Sequence, residues 1–409
     1  MTGLANRRRF KVGNLGRVVT GKTPSTASPE NFGSDYPFLT PTDMHGCKWA
    51  RRTERGLSNT GASILRGQVP AGAVAISCIG WQMGKAILTD RPTYTNQQIN
   101  TIIPNQSFDA EYLYYYFATR RGELLSIGSA GGVRTPIISK SSFEALDVEV
   151  PDLCVQRDVA SVLSAYDDLI ENNTRRIAIL EEMARRIYEE WFVRFRFPVH
   201  EGVRMVESEL GLVPEGWGLL KLGELVEFQK GKKPAAVFTE WAPGRAPALL
   251  IDALRGGGIE FADADRLVSV TRSDTIMVMD GSGSAQVFIG HEGVIGSTLG
   301  RYRVTNGAPV GAFWLYLLFL TRQSDIGGKN IGAAIPHANK DYIRSMPVPA
   351  PAAQVAAQFE YVVEPMFDLI QNLKAKTLTL RTTRDLLLPK LISGELDVSA
   401  IHESETLAA

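Results

Sequence analysis

Two short stretches of this 409-residue chain have residue types and spacings that suggest chemistry. Gly16-Arg-Val-Val-Thr-Gly21-Lys22-Thr23 fits the spacing of a phosphate-binding loop, in which backbone N–H groups and a lysine cradle phosphates and a hydroxyl holds magnesium. That chemistry needs a buried strand before the loop and a helix directly after it, so that the helix N-terminus meets the phosphates. Pro24 and Pro29 forbid a regular helix here, and the preceding Arg7-Arg-Arg-Phe-Lys-Val is no buried strand. The match is therefore expected to be a strand followed by a turn. Asp280-Gly-Ser-Gly-Ser284 offers serines, but no sequence signature places a histidine to activate one, and a glycine turn is the expectation. GxSxG, HExxH and GxGxxG patterns are absent, as is the Asn-Pro-Pro-aromatic tetrapeptide of an adenine methyltransferase. Cys47, Cys78 and Cys154 form no CxxC pair, and the five histidines do not flank them, which argues against a zinc site or a disulfide framework. The chain reads as non-catalytic, with no metal and no cofactor of its own.

The elements that would position any site come from repetition. Gly128, Gly132, Pro136 and Lys140 recur at Gly328, Gly332, Pro336 and Lys340, a constant offset of 200 positions. The offset persists through Val148/Val348, Pro151/Pro351, Asp168/Asp368, Leu169/Leu369, Ile170/Ile370, Asn172/Asn372 and Leu180/Leu380. Upstream, Leu15-Gly-Arg-Val-Val-Thr-Gly-Lys-Thr-Pro24 resembles Leu222 to Pro234, and Tyr112 to Arg120 resembles Phe313 to Arg322, with small shifts. The chain is a tandem duplication, each copy running from a Leu-Gly opening through a glycine-rich middle to a long helix. Short β-branched runs, Ala73–Ile79, Ile99–Ile103, Thr275–Met279 and Gln286–Ile289, predict strands and a mixed α/β lobe in each copy.

The helices carry a three-four apolar spacing. The first seam is Val159, Leu163, Tyr166, Ile170, Ile177, Leu180, Ala184, Ile187 and Trp191, broken at Asn173. The second is Phe359, Val363, Met366, Ile370, Leu373, Leu380, Leu387 and Leu391, broken at Thr377 and Arg384. Two such narrow stripes bury each other as a coiled coil, and a buried Asn173 would trade stability for register. The same stripes could instead pack one-sidedly on separate domains. Pro365 and Pro389 predict breaks in the second helix, with a short piece before Pro365. Turn formers at Phe197–Gly202 and Val213–Trp217 separate the copies.

Composition bounds the rest. With 44 basic and 44 acidic residues the chain is formally neutral, yet Arg7, Arg8, Arg9, Lys11, Arg17 and Lys22 precede the first acidic residue, Glu30. A neutral protein can still bind nucleic acid through local basic surface. The longest apolar run, Ala312–Leu320, is far short of the roughly 20 residues of a membrane span, and no signal-peptide pattern opens the chain. A cytoplasmic protein is expected.

Several segments resemble the specificity subunit of type I restriction–modification systems. They are the Leu-Gly to Thr-Gly-Lys-Thr-Pro24 opening, Thr95-Asn-Gln-Gln-Ile99, Glu190-Trp-Phe-Val193 ahead of Pro198, Leu210 to Trp217, Asp280-Gly-Ser-Gly283, and Arg384-Asp-Leu-Leu-Leu-Pro-Lys-Leu-Ile-Ser-Gly-Glu-Leu396. The set spans nearly the whole chain in order. The resemblance implies two homologous mixed α/β (α+β) target recognition domains, each reading half of a split, asymmetric site in double-stranded DNA. They would be joined by two long antiparallel coiled-coil helices in a pseudo-twofold arrangement. That pair would set the gap and dock two methyltransferase subunits, with motor–nuclease subunits joining for cleavage. S-adenosylmethionine, ATP and Mg would sit only on those partners.

On this reading residues 1–150 form the first recognition domain, 151–197 the central spacer helix and 198–216 a linker. Residues 217–350 form the second domain, 351–396 the C-terminal spacer helix and 397–409 a tail. Basic and amide side chains read base edges, so the glycine-rich middles supply the candidate DNA contacts. These are Lys22, Trp81, Gln82, Lys85, Asn96, Gln97 and Arg134 in the first lobe, and Lys232, Lys233, Lys329, Asn330, His337 and Lys340 in the second. Asn96 or Gln97 could equally brace a loop. The alternative function is a protein-binding coiled-coil scaffold without DNA specificity, which predicts no salt-dependent DNA affinity.

Overall fold

The computed structural model describes residues 7–130, 134–332 and 335–398; Gly132 and the tail beyond residue 398 lie outside them. The chain forms two compact units, one from residues up to 172 together with those from 377 onward, the other from 173 to 376. Both long helices are therefore divided. The central helix Leu153–Tyr188 and the C-terminal helix Ala353–Ser393 each give part of their length to each unit.

In the first unit an antiparallel four-stranded sheet runs in the order Gly16–Thr20, Ile99–Pro104, Val74–Ser77, Ala86–Leu88. A second sheet pairs Phe32–Leu39 antiparallel with Arg55–Leu57 and parallel with Tyr94–Thr95. Arg8–Lys11 closes the unit against Asp147–Val150. Helix Ala110–Thr119 begins where the Asp109 carboxylate accepts the Tyr112 N–H at 2.9 Å, satisfying one orphan donor of the first turn. Its aromatic run, Tyr112 to Phe117, is buried against Val74, Ile76 and Leu88. The same core takes in Val159 and Leu163 of the central helix with Leu391 and Ile392 of the C-terminal helix.

The second unit repeats this order. Its main sheet runs Val226–Lys230, Leu299–Val304, Thr275–Val278, Val287–Phe288, again all antiparallel. A second sheet includes the parallel pair Arg245–Leu249 and Gly293–Ile295, and Gly218–Lys221 closes against Pro347–Ala350. Helix Ala312–Thr321 buries Trp314, Leu315, Leu317, Leu318 and Phe319. Both repeats spend their β-branched runs on central strands, where they are buried on both faces.

Within each unit the two long helices run antiparallel. In the second, Lys374 pairs with Glu181 at 3.1 Å while the ring of Phe359 lies 4.8 Å from that of Phe192. In the first, Arg384 pairs with Asp167 at 2.5 Å, and Tyr115 donates its hydroxyl to the same carboxylate at 2.6 Å. Of the seam residues, Leu163, Ile170, Val363, Ile370 and Leu373 are buried. Tyr166, Ile177, Leu180, Ile187, Met366, Leu380 and Leu387 are half-buried, and Asn173 and Thr377 lie buried among them.

The expected breaks at the prolines do not occur. The C-terminal helix is continuous from Ala353 to Ser393 through Pro365 and Pro389. Both prolines are exposed, as are Tyr361 and Asp385, whose carbonyls lose their helical donors, so water can satisfy those carbonyls. Val363 and Phe367 on one side, and Leu391 and Ile392 on the other, stay anchored in cores and hold the axis.

Candidate nucleic-acid interface

The phosphate-loop match resolves into a strand end. Gly16–Thr20 is a strand, and no helix follows before the short turn at Pro29. Gly21 is demanded by packing: a Cβ there would lie 2.1 Å from the Thr95 carbonyl oxygen and 2.3 Å from that of Asn96. Gly231 makes the same close approach, 2.2 Å from the Gly296 oxygen. The glycine–lysine pair recurs because two backbones cross there, with Lys22 N–H donating to Thr95 and Lys232 N–H to Ile295. Cys78 is buried, and burial pushes its thiol up to about 11, so it is no nucleophile at neutral pH.

The antiparallel order brings four chain segments to one end of each main sheet. In the first unit these are the end of Gly16–Thr20, the turn after Val74–Ser77, the entry to Ile99–Pro104, and residues 136–138. Gly80, with φ of 85°, donates its N–H to Pro136 at 2.9 Å, and Ile138 N–H reaches Cys78 at the same distance. The second unit builds the matching frame. Gly281, with φ of 97°, donates to Pro336 at 2.9 Å, and Ala338 N–H reaches Met279 at 2.8 Å. A residue with a β-carbon is strained at such φ, which is why glycine recurs at both turns.

Most of the candidate contacts stand at these ends. Trp81 is 69% exposed at the tip of the first turn. Beside it Lys85 donates to Gln82 at 2.6 Å. Asn96 is buried and holds the next turn, accepting from the Gln98 backbone at 3.1 Å and donating to its side chain at 2.9 Å. Gln97 is exposed and accepts from Thr23 at 2.6 Å, beside exposed Lys22; Arg134 is exposed near the 136–138 segment. In the second unit Ser284 donates to Asn330 at 3.2 Å, and Asn330 precedes Ile331, which bridges to His337. Lys232, Lys233 and Lys329 are exposed. Lys340 opens helix Lys340–Ser345 with its ammonium 5.3 Å over the Phe228 ring. The matching Lys140 is tied to Glu144 on its own helix.

The sequence reading missed Lys230 and Asp280. Asp280 accepts from Lys230 at 2.8 Å and from His337 Nδ1 at 2.7 Å. Burial alone would raise its pKa, but the hydrogen bonds from Lys230 and His337 hold the carboxyl below its usual range. An alignment of the two copies at this turn would have been the signal, since it sets Asp280 opposite Ile79. Among the described residues no group of three or more histidine, cysteine, aspartate or glutamate side chains gathers to hold a metal, and no helix is long and apolar enough to cross a membrane.

Residues 8–182 match the family model of the "Type I restriction modification DNA specificity domain". The MjaIX specificity subunit of Methanocaldococcus jannaschii is 25% identical over 414 residues, covering 96% of this chain and 94% of that protein. The HindI specificity subunit of Haemophilus influenzae is 33% identical over 166 residues, 39% of this chain and 36% of that one. The crystal structure of the S subunit from M. genitalium has the same fold, with a TM-score of 0.65 over 96% of this chain and 97% of that one at 14% identity. The chain is similar to type I restriction enzyme specificity subunits, over residues 8–182 in the family model and over 96% of its length in the MjaIX relative.

Proposed function

We propose that this chain is the sequence-specific DNA recognition subunit of a type I restriction–modification complex. Each lobe, residues 1–150 and 217–350, reads one half of a bipartite, asymmetric target, and the helix pair sets the gap between the halves. The observation that carries this reading is the duplicated frame: two sheets of one topology present turns at matching ends with different side chains. Two readers of one architecture and different surface chemistry suit a target whose halves differ. The helices are long enough for the purpose. Thirty-six and 41 residues correspond to about 54 and 62 Å at 1.5 Å per residue, against roughly 34–36 Å per turn of B-DNA.

The chain itself is non-catalytic. Two methyltransferase subunits dock on the helices, motor–nuclease subunits complete the complex, and S-adenosylmethionine, ATP and Mg belong to those partners. The complex works in the cytoplasm, where its DNA is. A scaffold that binds protein alone would leave the exposed polar turns of both lobes unused. The deciding experiment co-expresses the chain with its methyltransferase subunit and maps methylated adenines across the host DNA. A split motif that changes in one half when one lobe is exchanged is the expected result. Methylation indifferent to this chain would sink the reading.

A further inference from the structure

We propose that three register-matched positions at the sheet end determine what each lobe reads, and that Lys230, Asp280 and His337 form the base-reading group of the second lobe. The proposal rests on the DNA-recognition reading above and goes on to name its determinants. The positions are defined by backbone. Thr20 and Lys230 are the last residues of the first sheet strand, each followed by the tightly packed glycine. Ile79 and Asp280 precede the turn glycine, and Ile137 and His337 follow the proline that accepts its N–H. Each pair closes one bridge, Ile79 to Ile137 and Asp280 to His337.

The frame is the same in both lobes, while the side chains are uncharged in one and charged in the other. Because isoleucines support the same bridge in the first lobe, the fold does not require an ion-paired cluster there. A side-chain set that differs where the backbone does not is what divergence of readout, rather than of structure, would leave. The group is also accessible: the side chains of Lys230 and His337 are 39% and 46% exposed, while Asp280 is 20% exposed beneath them.

The chemistry points to a ligand. An ionised carboxylate only accepts, so the proton lies on Nδ1 of His337, and in the neutral ring the outer nitrogen is left as an acceptor, suited to the N4 amino group of the cytosine in a G·C pair. Asp280 uses one of the three donors of the Lys230 ammonium and orients the rest. The two remaining ammonium donors of Lys230, held in place, suit the O6 and N7 acceptors of guanine in the major groove. In the first lobe Ile137 is 52% exposed at the matched position, an apolar surface of the kind that meets a thymine methyl group.

The test uses the full chain in complex with its methyltransferase subunits and gives the second lobe the residues of the first: K230T, D280I and H337I together. Methylated adenines are then mapped against the wild-type complex. The expected result is loss of the requirement for one G·C pair in one half of the motif, a change in preference of about tenfold or more, with the other half unaltered. Both halves read as in the wild type would overturn the proposal while leaving the function intact. A wild-type complex with no split motif would instead sink the function. Should the triple variant abolish methylation, His337→Gln and Asp280→Asn decide. Each complex is checked for unchanged thermal melting and tested by anisotropy on oligonucleotides altered one base pair at a time. A shift at the same base pair in both supports the group, and wild-type profiles in both refute it.

Discussion

Gly21 and Lys22 sit side by side in a sequence that mimics a nucleotide site, and their structural roles are opposite. Gly21 is fixed by the carbonyls crossing over it, while Lys22 is exposed. Gly21→Ala should lower stability by about 1–3 kcal/mol through overpacking against backbone that cannot yield. Lys22→Ala should leave melting unchanged, with or without ATP; thermal denaturation of both variants checks the pair. Asp274 is a second residue whose role is structural. It is fully buried and accepts two hydrogen bonds at 2.6 Å from Arg303 and one at 2.7 Å from the Thr271 N–H. Burial would raise its pKa, but the guanidinium and the Thr271 bonds bring it below the usual carboxylate value. With the folded value depressed, its contribution is present above the unfolded pKa and is lost as pH falls through the folded one. Asp274→Asn should cost about 3 kcal/mol at neutral pH, the lower end for a broken buried pair because Arg303 is partly exposed, and should flatten the acid limb of a stability-versus-pH curve. Which polar side chains gather at the sheet ends was only partly legible from sequence. Asn96 has the right side chain to read a base but is used to brace a turn, and the Lys230–Asp280–His337 group joins residues 50 or more positions apart that no local pattern connects.

At the scale of elements, periodicity was a reliable guide wherever burial dictated it. The three-four stripes of both helices and the β-branched runs of the sheets follow from which faces must leave water, and these are the elements found. The prolines were misread because local propensity was weighed without tertiary anchoring. Each costs a backbone bond, but both lie on the outer face of a helix held on both sides. Pro365→Ala restores a donor at an exposed position and should therefore stabilise the second unit by about 1–3 kcal/mol, read as a raised denaturation midpoint. Arg384 presents the contrary case. It interrupts the apolar seam, yet it is mostly buried against Asp167, itself 8% exposed. Arg384→Ala would strand that carboxylate and should cost about 3 kcal/mol, whereas R384M combined with Asp167→Asn, which keeps an acceptor for the Tyr115 hydroxyl, should recover part of the loss, a contrast a double-mutant cycle resolves.

For the molecule as a whole, the duplication was legible because one ungapped offset runs from Gly128/Gly328 to Leu180/Leu380, whereas the division of each helix between two units was not. Each unit's core uses one long helix from the middle of the chain and one from its end. If the helix pair sets the gap, seven residues inserted into both helices, between Asn172 and Asn173 and between Lys376 and Thr377, preserve the seam and add about 10 Å. The methylated motif should then keep both halves and gain about three base pairs between them at 3.4 Å each. An unchanged gap would show that the helices do not measure it. The divided helices also impose an order on synthesis. Leu391 and Ile392 join the first unit's core, and Arg7 donates to the Ile392 carbonyl, so that lobe lacks these packing partners until more than two hundred further residues have been made. At about 5–20 residues per second the N-terminal lobe waits on the ribosome for tens of seconds with that core open. A stop before Leu391 would therefore damage the lobe that lies more than two hundred residues upstream of it.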